Sequence, residues 1–486
     1  MKPIVQVEKL RLAFPGSKNM LFKDFSVSFN KGEKVLILGP SGCGKSTFLQ
    51  LLSGIIPGSI DIPCRAEALE IPQEWGYVFQ DPDAQFCMPY VDEEMAFVLE
   101  NLQTPREKMA ERMEELLSAV GIRLPALHTK IQSLSGGMKQ RLAIASVLAL
   151  KPEVLFLDEP TAMLDPEGTK DIWDTLKKVG RDKTVIIVEH KIDHVLDFAG
   201  RIILLDGNGN LMADGTKGEI FARHRTELRE QGIWFPGVWE EYISQIPAGS
   251  KSIPANGKEV ISLSDFKGIH GKEVKIHVDD LKVQAGEWVV ITGKNGAGKS
   301  TFLHALMQFI KTKGNYLLKG KRILKGVNPA KEVAFVFQNP EFQFVAGTVY
   351  EETAFSLRMK GLEEGNIAAM VENTLRVFAL EKQQHLHPYQ LSTGQKRRLS
   401  VAASIIADPD ILLLDEPTFG QDAKNTFAIL DKLEEFRKKG AAIIMVSHDE
   451  QIVEGFATRV LAIDHGRIIK NEYILESERA GMTCTV

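Results

Sequence analysis

One short run, Gly39-Pro40-Ser41-Gly42-Cys43-Gly44-Lys45-Ser46-Thr47, is written a second time as Gly293-Lys294-Asn295-Gly296-Ala297-Gly298-Lys299-Ser300-Thr301. Further blocks repeat in the same order. Phe79-Gln80-Asp81-Pro82 returns as Phe337-Gln338-Asn339-Pro340, and Leu134-Ser135-Gly136-Gly137 as Leu391-Ser392-Thr393-Gly394. Asp158-Glu159-Pro160-Thr161 returns as Asp415-Glu416-Pro417-Thr418, and His190 as His448. One order at nearly one spacing makes two homologous halves. They replace the three or so domains that 486 residues suggest at about 150 residues each. The expected boundaries are 1–245 for the first half, 246–258 for a linker rich in Pro, Gly and Ser, and 259–486 for the second. Trp234, Phe235, Trp239 and Tyr242 precede the linker. They read as packing the end of the first half onto its own core, with a partner-docking patch as the other reading.

Each half opens with alternating apolar and polar residues, Phe25–Phe29 and Val274–Val278, the pattern of half-buried antiparallel strands. Continuous apolar runs follow at 35–38, 154–157 and 184–188, with counterparts at 289–291, 411–414 and 442–446. Helical stretches separate these runs, so they predict buried parallel strands joined by crossover helices, an α/β fold.

The first repeated run, Gly-x4-Gly-Lys-Ser, follows an apolar strand and precedes a helical segment, which is the setting of a P-loop. Gly39, Gly42 and Gly44, like Gly293, Gly296 and Gly298, let backbone amides turn inward onto phosphate oxygens. Lys45 and Lys299 would neutralise β/γ-phosphate charge, and Ser46 and Ser300 would offer hydroxyls to Mg²⁺. Thr47 and Thr301 open the following helix, whose N-terminus favours an anion. Two apolar strands end in adjacent carboxylates, Asp158-Glu159 and Asp415-Glu416. The first of each pair can hold the metal's shell, and the second can orient or deprotonate a water for in-line attack. A lone pair of this kind reads as a solvated strand end, but here it recurs downstream of a P-loop in both halves. His190 and His448 follow apolar strands, at the carboxyl end where α/β ligands sit, and are candidate γ-phosphate contacts.

The 59 Lys and Arg residues against 64 Asp and Glu give a net charge of −5, which excludes a globally basic nucleic-acid binder. The small basic cluster Lys396-Arg397-Arg398 reads as serving its own helix and nucleotide site. Cys43, Cys64, Cys87 and Cys484 form no CxxC pair and no disulfide framework, so a reducing, cytosolic compartment is expected. The N-terminal residues lack the apolar core of a signal peptide, and no apolar run approaches the length of a membrane span.

The Leu-Ser-Gly-Gly run can be read as a plain helix N-cap. Placed between Gln80 and Asp158-Glu159, it makes both halves resemble ABC-type ATPase domains over nearly the whole chain. The resemblance implies, for each half, a RecA-like P-loop core with an antiparallel β subdomain and a helical subdomain. It further implies ATP and Mg²⁺ as cofactors, and halves that face each other head to tail as an intramolecular pair. Site one would then join Lys45, Ser46, Gln80, Asp158, Glu159 and His190 to Ser392 and Gly394. Site two would join Lys299, Ser300, Gln338, Asp415, Glu416 and His448 to Ser135, Gly136 and Gly137. Ser46, Gln80 and Asp158, and likewise Ser300, Gln338 and Asp415, would serve the metal. Asp165 and Asp422 fall at the loop linking the sites. Phe14 fits the aromatic that this family stacks on adenine, whereas the same register in the second half falls on Gly268, with Phe266 nearest.

The halves are not equal. Thr393 replaces a glycine, and its Cβ crowds a backbone approach that glycine permits. Phe419-Gly420-Gln421-Asp422 departs from the usual Leu-Asp that Leu164-Asp165 keeps. Site two is therefore expected to hydrolyse faster than site one.

Each loop glutamine opens a further shared pattern, Gln80-Asp-Pro-Asp-Ala-Gln85-Phe86 and Gln338-Asn-Pro-Glu-Phe-Gln343-Phe344. Val91-Asp-Glu-Glu-Met-Ala-Phe97 and Val349-Tyr-Glu-Glu-Thr-Ala-Phe355 follow. This pattern resembles the ATPases of energy-coupling factor importers of vitamins and metal ions, and the fused form resembles those of thiamine-precursor (hydroxymethylpyrimidine) uptake. In that family the segment contacts a membrane-embedded coupling subunit, which works with a substrate-binding membrane subunit. Large apolar side chains at Phe86, Met88, Tyr90, Met95, Phe97, Phe342, Phe344 and Phe355 fit a groove for a partner helix, with about half of them expected in the core. The implied place is the cytoplasmic face of the cell membrane, held there by partners. The alternatives are the tandem ATPase of a sugar-type importer and a soluble ABC switch protein.

Overall fold

The computed structural model describes residues 3–16, 19–162, 164–246, 257–324 and 327–474. Most of the expected linker (247–256) and Cys484 lie outside the described residues. The chain divides into two compact units, Met1–Pro236 and Gly237–Val486.

The apolar runs are strands, and they pair as continuous burial requires. In the first unit Trp75–Val78, Val154–Asp158, Thr184–Val188, Lys34–Leu38 and Arg201–Leu205 lie side by side, parallel and in that order. Leu211–Thr216 closes the edge antiparallel to Arg201–Leu205. Val154–Asp158 and Thr184–Val188 are buried at every position, because helices cover both faces of a parallel sheet. A separate sheet pairs Val5–Leu12 antiparallel with Phe22–Phe29, as the alternating pattern predicts. Phe22, Phe25 and Phe48 fill the space beneath it.

The second unit repeats the parallel order with Val333–Val336, Ile411–Asp415, Ala442–Val446, Trp288–Thr292 and Arg459–Asp464. Its antiparallel strands Glu259–His270 and Glu273–Gln284 join the same sheet through Arg467–Tyr473, giving ten strands in one path. In both units a parallel strand runs directly into the P-loop, and a helix leaves it: Lys45–Leu52 in the first, Lys299–Leu306 in the second.

The aromatics before the linker divide between the units, which corrects the expectation that they pack together on the first. Phe235 is buried in the first unit, with the Arg225 guanidinium over its ring. Trp239 and Tyr242 sit on the helix Val238–Ser244 and pack on the second unit. Tyr242 stacks on Phe427 at 3.9 Å and donates its hydroxyl to Asp431 at 2.5 Å, while Trp239 meets Phe427 edge-on at 5.0 Å. The physical reason is supply. Phe427, Phe456 and Ile452 leave an apolar site in the second unit that this helix covers.

Candidate functional site

Both phosphate loops owe their shape to left-handed backbone. Gly42 and Gly44 have φ of 84° and 97°, and Gly296 and Gly298 have 79° and 107°, a region that side chains disfavour. Lys45 is buried, and its ammonium donates to the carbonyls of Gly39 at 2.7 Å and Pro40 at 3.0 Å. Lys299 repeats this with Gly293 at 2.7 Å and Lys294 at 2.9 Å. Thr47 and Thr301 lie in the first turn of the helices that follow.

The carboxylate pairs stand at the ends of Val154–Asp158 and Ile411–Asp415, next to these loops. Ser46 donates to Asp158 Oδ1 at 2.8 Å. Burial pushes the Asp158 carboxyl up to about 6, and the nearby Glu159 adds to this, against hydrogen bonds from Ser46 and Tyr77. Burial also raises Asp415, opposed by Ser300, His304 and Arg397.

Glu159 and Glu416 follow with φ of 47° and 52°, left-handed positions that a glutamate adopts only when its surroundings impose them. Their amides donate across to Val188 at 2.8 Å and Val446 at 3.2 Å, which fixes each turn to the strand that carries the histidine. Glu159 then receives Gln80 Nε2 at 2.8 Å and lies 3.1 Å from His190 Nε2. Burial alone would raise Glu159, but His190 and Lys45 outweigh it and hold the carboxyl below its usual range. In the second unit His448 Nε2 stands 3.4 Å from Glu416 Oε1. In each unit, then, one locality gathers the P-loop lysine, the serine, both carboxylates and the histidine. Gln80 joins that locality directly.

Ser135 and Ser392 cap the helices Gly136–Ala149 and Thr393–Ile405, accepting from Met138 and Gln395. Gly136 and Gly137 open the first helix, and Thr393 and Gly394 the second. Each serine thus caps its own helix. Asp165 and Asp422 likewise cap the helices that follow their loops. Phe14 is 44% exposed and accessible for stacking. Phe266 is in the core against Tyr316, so it offers no adenine platform.

Three residues at these sites escape single-motif reading. The Tyr77 phenol donates to Asp158 Oδ2 at 2.9 Å, and the second half has Phe335 at that place. Glu189 is buried; it accepts the Thr161 hydroxyl at 2.7 Å and the His190 amide at 2.9 Å, whereas the second half has Ser447. Burial pushes the Glu189 carboxyl up to about 7, with Glu159 adding to it. Arg397 is buried behind Gln338, where burial pulls it down to about 10 against the charges of Glu416 and Asp415. Laying one half over the other picks out all three as differences, though not their contacts.

Magnesium would be held here by a serine hydroxyl, the first carboxylate and the loop glutamine. Asp415 Oδ1 is buried with no hydrogen-bond partner among the described residues, so it keeps a lone pair for a cation's shell. Among the described residues no cluster of three or more His, Cys, Asp or Glu could hold a metal.

The loops after each glutamine are tied down in one way. Cys87 and Met88 donate their amides to Glu94 at 2.9 Å each, and Val345 and Ala346 donate to Glu352 at 2.8 Å each. Of the eight large apolar side chains, about half of them expected in the core, only Met95 is buried. Phe86, Met88, Tyr90 and Phe344 are half-buried and Phe97 is exposed, which corrects that expectation, since the loops and outer helix faces that carry them lie at the surface. Phe342 and Met359 are each 75% exposed, Val345 69% and Phe355 48%. In the first unit a cleft is lined by Phe86, Met88, Pro89, Tyr90 and Ile131 together with the polar Asp83, Lys130, Gln132 and Lys139. No helix among the described residues is long and apolar enough to cross a membrane.

The family model described as "ABC transporter" matches residues 22–162 and 276–419, once in each half. A Bacillus subtilis protein named "Putative HMP/thiamine import ATP-binding protein YkoD" is 36% identical over 95% of this chain and 90% of its own length. A Streptococcus pneumoniae "Putative ABC transporter ATP-binding protein" is 33% identical over 96% of this chain and 90% of its own. Among solved structures, archaeal ribosome recycling factor aABCE1, in complex with stalk protein aP1, aligns over 95% of this chain and 90% of its own with a TM-score of 0.62. "RNase-L Inhibitor" covers 98% of this chain and 93% of its own with a TM-score of 0.61. At 20% identity each, these two share the fold of tandem ABC domains.

Proposed function

The chain belongs to the ABC transporter family, as a tandem ATPase of the kind coupled to transport, and on that premise we propose that it is the energising subunit of an energy-coupling-factor importer. Its cargo would be a vitamin, a vitamin precursor or a metal ion, with a thiamine precursor favoured by the name of the B. subtilis relative. The observation that carries the importer reading is the exposed apolar surface of Phe342, Val345 and Phe355 beyond Gln338, on a loop pinned by Glu352, with the cleft of Phe86, Met88 and Tyr90 at the matching place beyond Gln80. Such a surface suits a helix of a membrane-embedded coupling subunit.

The geometry and the family resemblance support the following residue roles. Lys45 has three N–H donors, two of them held by loop carbonyls, and the third is available to the β/γ-phosphates. Magnesium, when bound through Ser46, Gln80 and Asp158 or through Ser300, Gln338 and Asp415, supplies charge neutralisation at those phosphates. Glu159 and Glu416, turned out of their strands, take or orient the proton of the attacking water. His190 and His448 face the developing γ-phosphate charge. Phe14 stacks on adenine in the first unit. Ser135, Gly136 and Gly137, with Ser392 and Gly394, complete the opposite half's site in a head-to-tail pair. The cycle of binding and hydrolysis then drives partner subunits at the cytoplasmic face of the membrane.

Affinity capture of the tagged chain from gently solubilised membranes, read by mass spectrometry, tests this. Recovery of a polytopic coupling subunit with a small membrane protein is expected, and the small protein leads to the cargo. Ribosomal or other soluble partners without a membrane protein would replace the importer by a cytosolic switch. A sugar-type permease pair would move the chain to the other importer class.

A further inference from the structure

In the second unit the helix Thr393–Ile405 reaches the loop glutamine through a buried cation. Arg397, 5% exposed, donates Nη1 to the Phe337 carbonyl at 2.7 Å and Nη2 to the Gln338 carbonyl. Among the described residues Arg397 forms no direct ion pair, although the charges of Glu416 and Asp415 act on it, and its hydrogen bonds go to this loop backbone. Five residues beyond Gln338, Gln343 continues the seam: its amide donates to the Ser400 carbonyl and to Ser404 Oγ at 2.9 Å each, and it accepts the Ser400 hydroxyl at 2.8 Å. The first unit has Gln140 where the second has Arg397. Gln140 makes one neutral contact, to the Phe79 carbonyl at 3.4 Å, and does not reach Gln80. The fork geometry of a guanidinium can bridge two successive carbonyls, and a charged donor makes each bond stronger than an amide does.

We propose that Arg397 is a positioning residue for site two: it clamps the backbone of Gln338, sets where that side chain points, and ties it to the helix that Ser392 begins. This rests on the reading of Gln338 as a group that faces nucleotide and metal. One rigid helix would then carry the Ser392 cap at one end and the grip on Gln338 one turn in.

The test uses the full chain with Arg397→Gln, a residue the same fold already accepts in the first unit, and with Arg397→Lys. Steady-state ATP hydrolysis gives kcat and KM, and hydrogen exchange reports on residues 337–346. The expected result is a kcat lowered about fivefold or more with KM for ATP within about twofold, since the P-loop is untouched. Exchange should rise in 337–346 and not elsewhere in the unit. Lysine, a point donor, should not restore either readout. Unchanged kcat and unchanged exchange would overturn the proposal, as would faster exchange throughout the unit, which marks mere packing. Gln338→Ala separates the two readings. If it leaves kcat intact, the role given to Gln338 fails whatever Arg397 does. If it lowers kcat while Arg397→Gln does not, only the clamp fails.

Discussion

Tyr77 hydrogen-bonds Asp158 in the first unit, and the corresponding pair in the second, Phe335 and Asp415, has no hydroxyl to share. Asp158 therefore has both oxygens occupied, by Ser46 and Tyr77, whereas Asp415 keeps one unpartnered among the described residues. Removing the phenol leaves a buried carboxylate one bond short. Tyr77→Phe should destabilise the first unit by about 1–3 kcal/mol in urea unfolding, the usual cost of a lost bond to a charged acceptor. A change below about 0.5 kcal/mol would mean that Asp158 is not held by Tyr77 in solution.

The two P-loop lysines are the groups that the proposed chemistry can least do without. Lys45→Met with Lys299→Met should bring ATP hydrolysis down to the assay background while the far-UV circular dichroism stays that of the parent. Residual turnover above roughly a tenth of the parent rate would disprove both sites as drawn.

The halves should contribute unequally to turnover. In the proposed pairing, site one meets Thr393 and site two meets Gly136, and the threonine Cβ opposes close approach to a phosphate. Glu416→Gln should therefore cost more of the total rate than Glu159→Gln, and Thr393→Gly should narrow the gap. Equal losses, or a greater loss with Glu159→Gln, would remove the inequality.

Glu189 makes stability depend on pH in a defined direction. Its folded pKa, about 7, lies above the ordinary value of 4.5, so the folded chain keeps a proton that the unfolded chain has released. The stabilisation is complete below about 4.5 and is lost as pH rises through 7, a fall of about 3 kcal/mol across that window. Glu189→Gln should flatten this part of the profile, as measured by denaturant unfolding at pH 5 and pH 8. If the parent and the variant keep the same difference between the two pH values, Glu189 is ionised in the fold and the burial argument fails.

Much of this molecule could be read before its coordinates, for a physical reason. A parallel strand buried on both faces must be apolar throughout, so Val154–Asp158 and Ile411–Asp415 announce themselves, and a phosphate loop needs its glycines at fixed places. What stayed hidden depends on partners distant in sequence. Nothing near Arg397 shows that two carbonyls some 60 residues earlier await it. Phe266 lies close to the expected adenine register, yet strand alternation turns it into the core. Trp239 and Tyr242 read as part of the half they follow, because adjacency in the chain is the only guide when Phe427 lies far downstream.

That last feature bears on how the halves can be separated. Val238–Ser244 follows the first unit in the chain, but its ring stack and its hydrogen bond lie on the second. A second half produced by itself from residue 259 would leave Phe427 and Asp431 facing water. One begun at Gly237 takes along the helix that covers them. The natural scissors mark thus lies ahead of the Pro- and Gly-rich stretch, between Pro236 and Gly237.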